Sequence, residues 1–219
     1  MISKILRIRR HKKCEDTSYM EDYDYKTDND DATIATALMT LPVTWEHSCL
    51  QKKCGGCAMV INKHPALACD TYLRDIKSKV ITIEPLSKFP VIEDLMVDRS
   101  NMMSDLVSAS AWLEEEAVSS NEELIYEASK CLQCGLCLEV CPNYCTDRRF
   151  KGMAMATPLS KLIHLSENES ENKRLLRSYK VDVYRGCGKS LACRDICPAG
   201  IDIDRLLVKS NRKLIRPFK

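Results

Sequence analysis

Thirteen cysteines are spread over 219 residues, and eleven of them fall into three runs whose spacing limits how the chain can fold. The first run is Cys49-x4-Cys54-x2-Cys57-x11-Cys69. The second is Cys131-x2-Cys134-x2-Cys137-x3-Cys141-Pro142, and the third is Cys187-x5-Cys193-x3-Cys197-Pro198. Thiols so close in sequence rarely pair as structural disulfides. The N-terminal stretch Met1–Arg10 has no apolar segment of the kind a secretory signal needs. Both features place the thiols in a reducing, cytosolic compartment and make metal ligation their expected use.

Iron in iron–sulfur clusters is tetrahedral and prefers soft thiolate ligands. Short x2 loops let successive cysteines converge while the intervening backbone N–H groups face the sulfur atoms. Gly55 and Gly56, between Cys54 and Cys57, suit that close approach. Cys-x4-Cys-x2-Cys with a distant fourth cysteine is the plant-type spacing. It predicts a [2Fe–2S] cluster on Cys49, Cys54, Cys57 and Cys69. A zinc site is the competing reading, but structural zinc normally uses two spaced pairs.

In the Cys-x2-Cys-x2-Cys-x3-Cys-Pro arrangement the fourth cysteine ligates the other cluster. Cys131, Cys134, Cys137 and Cys197 are therefore assigned to a [4Fe–4S] cluster, and Cys141, Cys187 and Cys193 to a third centre. Ser190 stands where a fourth thiolate of that centre would be, so a [3Fe–4S] cluster is expected. A serine alkoxide in that corner keeps a four-iron form open.

Apolar residues alternate in Lys4–Arg10, and Tyr19, Tyr23 and Tyr25 recur at even spacing, which predicts two strands joined as a hairpin. Asn29, Asp30 and Asp31 offer a cap for a helix over Thr33–Leu41, stopped by Pro42. Ala58–Ile61 and Val80–Ile83 read as further strands, and Asn62–Pro65 as a turn. From Val97 the period changes to helical, with helices expected over Asn101–Trp112, Glu122–Lys130, Thr157–Leu165, Asn172–Lys180 and Ile203–Asn211. The helix at Glu122 is expected to start at Ser120 or Asn121, after an exposed acidic turn. The fold class is α+β: a β-rich domain over residues 1–96, then a helical domain over 97–219. Aromatic residues make up only 6% of the chain. The core is modest, and metal–thiolate bonds formed only in the folded state are expected to stabilise it. A net charge of +2 argues against nucleic acid as the main partner. No apolar stretch approaches the roughly 20 residues of a membrane span, so membrane contact would be peripheral or through a partner.

With these motifs in place, the sequence resembles the iron–sulfur subunits of succinate dehydrogenase and fumarate reductase. The resemblance is carried by Ser48-Cys49…Cys54-Gly55-Gly56-Cys57-Ala58-Met59, by Pro90-Val91-Ile92-Glu93-Asp94-Leu95…Asp98, by the three cysteine runs, and by Cys197-Pro198-Ala199-Gly200. It implies an N-terminal plant-type [2Fe–2S] ferredoxin domain of β-grasp fold and a C-terminal helical, bacterial-ferredoxin-like domain. It also implies an electron-transfer subunit with no substrate site of its own. Such a subunit would dock on an FAD-containing flavoprotein and pass single electrons through three clusters to a quinone at a membrane-anchor subunit. Its place would be peripheral, on the cytoplasmic face of the cell membrane. Ubiquinone-using members carry two tryptophans after the Cys-Pro and a histidine after the next cluster cysteine. Here those places hold Cys145, Thr146 and Gly188, which favours menaquinone or another acceptor. Gly186 reads as an extra residue before Cys187.

Other candidates are weaker. Cys145 is read as a small buried hydrophobe, with a spare ligand or redox-sensitive thiol as the alternative. Cys14 is read as incidental. His47 is read as solvated rather than as a modulator of the first centre, and His11, His64 and His164 have no partner visible in the sequence. The basic tail Lys209–Lys219 is either an exposed terminus or a contact for anionic headgroups or an anchor subunit. Two other functions compete: an iron–sulfur adaptor for an unrelated flavoprotein reductase, and an iron–sulfur sensor. No DNA-reading helix or basic stripe supports the latter.

Overall fold

Leu6 and Ile8, two residues apart, decide which face of the first sheet becomes core. The computed structural model describes residues 1–13, 17–114, 122–146 and 149–215. Strand β1 (Ile2–His11) pairs antiparallel with β2 (Ser18–Thr27), from Ile2 opposite Thr27 to His11 opposite Ser18. On its other side β1 runs parallel to β5 (Val80–Glu84), with Leu6 opposite Ile81 and Ile8 opposite Ile83. All four side chains are fully buried. With β3 (Ala58–Ile61) and β4 (His64–Leu67) the sheet reads β2-β1-β5-β3-β4. A mixed sheet with a parallel central pair and one helix is the expected β-grasp arrangement. The tip of the β1–β2 hairpin and Cys14 lie outside the described residues.

Local details differ from the sequence reading for identifiable reasons. Helix α1 (Ile34–Leu38) is capped by Thr33, whose side chain accepts from the Thr36 N–H. None of the three expected cap residues, Asn29, Asp30 and Asp31, caps it: Asn29 is engaged in its own turn, accepting from the Asp31 N–H at 2.9 Å. The helix closes early because the Thr40 and Leu41 N–H groups bond three residues back, to Ala37 and Leu38. The β3–β4 turn uses only Asn62 (φ 49°) and Lys63 (φ 67°), the two left-handed residues that a tight hairpin needs. His64 and Pro65 belong to β4, an edge strand where proline's missing N–H is tolerated.

A small hairpin of β6 (Val91–Glu93) and β7 (Met96–Val97) turns at Asp94, which is 3% exposed. The Asp94 carboxylate accepts from Arg10 Nε at 2.9 Å, the His11 N–H at 3.1 Å and the Thr44 N–H at 2.9 Å. One buried carboxylate therefore ties the end of β1 to the segment that leads into Cys49.

The chain forms two compact units: Met1–Arg99 with Cys134–Glu139, and Ser100–Gln133 with Val140–Lys219. The short α4 (Leu136–Glu139) belongs to the first. The second contains α2 (Ser100–Ser108), α3 (Glu122–Ser129), α5 (Gly152–Leu165), α6 (Glu169–Tyr179), α7 (Ala192–Asp195) and α8 (Ile203–Ile215). Helix α5 is its centre, touching α2, α3, α6 and α8 and burying Ala156, Leu159 and Ile163 completely. It starts five residues before Thr157, the expected start, because Gly152 (φ 66°) makes the turn into it and Pro158 is accommodated inside. Helix α6 starts three residues before the expected Asn172, where the Asn168 side chain accepts from the Ser170 and Glu171 N–H groups. It runs into a π-helical turn, Lys180–Tyr184. The acidic turn before α3 lies outside the described residues from 115 to 121.

His164 acquires the partner that the sequence did not reveal. It is 7% exposed, with Nε2 3.4 Å from Ser210 Oγ, which in turn donates to Ser160 Oγ at 2.8 Å. Burial, then the charges of Lys213 and Lys209, push its pKa down from 6.5 to about 4. Below pH 6.5 the unfolded chain therefore binds a proton that the folded unit refuses. This site's stability is intact above 6.5 and is lost as pH falls towards 4, by about 3 kcal/mol in total. Denaturant titrations across that range should show this loss in the wild-type protein, and a flatter profile in His164→Gln.

Candidate metal centres

Two residues in the left-handed region, Leu50 (φ 51°) and Lys52 (φ 59°), turn the loop after Cys49 so that its N–H groups face sulfur. Gln51 and Lys53 each donate to Cys49 Sγ at 3.3 Å, and Lys52 donates to Cys69 Sγ at 3.3 Å. Successive N–H groups in such a turn form an anion-binding nest. Lys52 also pairs with Asp70 at 2.6 Å, fastening the loop beside Cys69. Cys57 immediately precedes β3, and Cys69 sits in a 3-10 turn, Ala68–Asp70, tied back by the Ala68 N–H to the Cys57 carbonyl at 3.0 Å.

The four thiols fall into two pairs. Cys57 and Cys69 have their sulfurs 3.4 Å apart, and Cys49 is hydrogen-bonded to Cys54. Two pairs suit a dinuclear cluster with two ligands on each iron. Among the described residues no group of three or more His, Cys, Asp or Glu side chains is gathered tightly enough for a single metal ion. The donors from Gln51 and Lys53 pull the Cys49 thiol down to about 7, whereas burial pushes Cys57 up to about 12. The residues present fit the group the spacing implied.

The second run is divided between the units. In the first, Cys134 is buried and Gly135 (φ 85°) lies so close to Phe89 that a Cβ would stand 3.1 Å from the ring. Helix α4 is held by Glu139, which accepts from the Ser87 N–H at 3.0 Å, Ser87 Oγ at 2.6 Å and the Lys88 N–H at 3.1 Å. Cys137 lies on that helix. In the second unit, burial raises the Cys131 thiol pKa and the charge of nearby Cys197 raises it further. Gln133 Nε2 bridges Cys131 Sγ at 3.4 Å and the Ala154 carbonyl at 3.1 Å.

Cys141, Cys187 and Cys193 come together in the second unit. Burial, then the charges of Cys141 and Cys187, push Cys193 up to about 11. Ser190 is exposed and sits between two left-handed residues, Lys189 (φ 56°) and Leu191 (φ 58°). An apolar cavity of 230 Å³ opens beside Cys187, between the π-helical turn and α8.

The remaining candidates resolve differently. Cys145 is exposed, not the buried hydrophobe expected, because its neighbour Tyr144 takes the inward place and accepts from Asn101 at 3.0 Å. His47 is exposed, stacks on Trp45 with ring centroids 4.3 Å apart, and places Nδ1 3.3 Å from the Trp45 carbonyl rather than against sulfur. Sequence reasoning missed Asn143. Its Nδ2 donates to the Gly186 carbonyl at 2.7 Å and lies 2.7 Å from where a Gly188 Cβ would be. The extra glycine is equally tight, since a Cβ on Gly186 would stand 2.5 Å from Phe150. Only the paired absence of side chains at 186 and 188 hinted at this.

Residues 4–104 match the model of a 2Fe-2S iron–sulfur cluster binding domain, and residues 127–201 match that of a 4Fe-4S dicluster domain. The succinate dehydrogenase iron–sulfur subunit of Bacillus subtilis is 35% identical over 187 residues, covering 79% of this chain and 72% of that protein. The chain belongs to the family of succinate dehydrogenase and fumarate reductase iron–sulfur subunits. The fumarate reductase iron–sulfur subunit of Wolinella succinogenes is 28% identical over 189 residues, covering 79% of this chain and 78% of its own length. A chain of the Mycobacterium smegmatis Sdh1 complex shares the fold, with a TM-score of 0.79 at 23% identity, covering 98% of this chain and 96% of that one. As a member of the family, this iron–sulfur subunit transfers electrons within an oxidoreductase complex.

The Asn143–Gly186 hydrogen bond and the closed space at Gly188 generate a prediction. Gly188→Ala should displace Asn143 and loosen the loop that carries Cys187. Iron per chain should fall while residues 1–99 keep their visible absorption and circular dichroism. Unchanged iron and sulfide content would show that the loop does not depend on this contact.

Proposed function

We propose that Cys49, Cys54, Cys57 and Cys69 hold a [2Fe–2S] cluster, and that Cys131, Cys134, Cys137 and Cys197 hold a [4Fe–4S] cluster. Cys141, Cys187 and Cys193 hold a [3Fe–4S] cluster, with Ser190 at its open corner. When bound, the clusters supply one-electron centres whose potentials respond to charge, burial and hydrogen bonding. The chain's own residues hold them, exclude water and set those potentials.

The observation that carries this reading is the pairing of the first four thiols under three backbone N–H donors. Such a shell stabilises sulfur that bears negative charge, as metal-bound thiolate does.

The partners follow from the family. An FAD-containing flavoprotein carries the succinate–fumarate chemistry, and a membrane-anchor subunit carries the quinone. No helix among the described residues is long and apolar enough to cross a membrane. The subunit would then sit peripherally on the cytoplasmic face. Helix α8 offers a surface for such a contact, with Val208 64% and Ile215 65% exposed on either side of Arg212. The last residues of the basic tail, 216–219, lie outside the described structure, and Lys213 is already engaged with the Ile163 carbonyl at 2.7 Å. Menaquinone fits better than ubiquinone, because Cys145, Thr146 and Gly188 stand where ubiquinone-using members carry two tryptophans and a histidine.

Electron paramagnetic resonance on anaerobically purified protein tests the cluster assignment. The oxidised protein should give a near-isotropic signal that disappears on reduction. Ser190→Cys should supply the fourth thiolate, abolish that signal and give a second reduced cubane signal. A wild-type protein without iron and acid-labile sulfide would overturn the reading.

A further inference from the structure

Arg99 has a position that the cluster ligands alone do not explain. Its side chain is only 13% exposed. Nη1 donates to the Gly55 carbonyl at 3.1 Å and the Cys134 carbonyl at 3.0 Å, and Nη2 donates to the Gly56 carbonyl at 3.1 Å. Its counter-ion is Glu46, whose side chain is 49% exposed. Glu46 lies over the first loop, with Oε1 3.6 Å and Cys54 Sγ 3.7 Å from where a Gly56 Cβ would be. One cation therefore grips the backbone of two separate ligand loops, 54–57 and 134–137, within the same unit.

We infer that Arg99 is a positioning residue that registers these two loops and raises the reduction potentials of both centres together. The inference rests on the cluster assignment proposed above. The three carbonyls belong to the peptide groups whose N–H donors are those of Gly56, Cys57 and Gly135. A guanidinium on each oxygen polarises its peptide, so the N–H on the far side carries more positive charge within its ligand loop. The charge acts in the same direction. Reduction adds one electron, and so one negative charge, to either centre, and a fixed, partly desolvated cation favours that form. Glu46 offsets this at the first loop, because its carboxylate faces Gly56 there. Arginine is required here because its planar fork reaches four acceptors at once, the three carbonyls and the Glu46 carboxylate, which the three donors of a lysine ammonium do not.

The test is redox potentiometry, followed by paramagnetic resonance, on the full-length protein with its clusters loaded. In Arg99→Gln the ratio of reduced to oxidised form at fixed potential should fall about tenfold at both centres, which is 59 mV for a one-electron couple. Glu46→Gln leaves the cation uncompensated, and should raise that ratio at the first centre by about threefold with little change at the second. Arg99→Lys keeps the charge and should restore part of the loss. A role confined to holding the fold would not move the potentials in opposite directions. Unchanged potentials in a loaded Arg99→Gln protein would overturn the proposal, as would shifts of the same sign in Arg99→Gln and Glu46→Gln. If Arg99→Gln fails to load, Glu46→Gln decides: a raised first potential supports the inference and an unchanged one overturns it. Wild-type protein without the two centres would instead overturn the cluster assignment itself.

Discussion

Backbone N–H groups aimed at cysteine sulfur are what the first unit is arranged to deliver. A short loop can present several such donors only if its backbone leaves the ordinary right-handed and extended regions, and Leu50, Lys52 and Gly55 do so within six residues. Left-handed backbone is costly for a non-glycine residue and persists only where the surroundings over-determine it. Here they do. Lys52 is pinned to Asp70, Cys57 leads directly into a sheet strand, and Arg99 holds the carbonyls of Gly55 and Gly56. Asp94 fixes the segment that enters the loop. The sheet matters to function because it is the rigid body against which this strained loop is set.

The same principle recurs with different parts. Gly135 and Gln133 are left-handed between the cysteines of the second run, and Lys189 and Leu191 between those of the third. The supports there are side chains. Glu139 clamps α4 to the turn at Ser87 and Lys88, and Asn143 reaches the Gly186 carbonyl. Each ligand loop is thus tied to a distant part of its unit through one polar side chain, and none of these side chains is a ligand. Metal sites depend on such outer partners nearly as much as on the ligands themselves.

Much of this was legible in the residues. The three cysteine runs are local patterns, and their spacing is set by how far a short loop can reach around one cluster. The strand at Leu6 and Ile8 and the helix at Ile203 follow from apolar period alone. Two boundaries moved through side-chain competition, since Asn29 was taken by its own turn and Asn168 captured the start of α6, and two through the backbone, at Thr40 and at Gly152. Cys145 was misjudged because a cysteine's average burial says nothing about which of two adjacent residues turns inward, and Tyr144 took that place.

What the sequence determined by itself is the inventory: which thiols exist, how they are grouped, and that a β-rich segment precedes a helical one. These depend on neighbours a few residues apart, and local sterics and periodicity are readable one window at a time. Only the tertiary structure decided that Arg99 joins loops 43 and 35 residues away, that Glu139 reaches back 52 residues to Ser87, and that Asn143 packs against Gly188. Those contacts link positions with no local relation. They arise from how strands and helices pack, and a linear pattern does not contain that information.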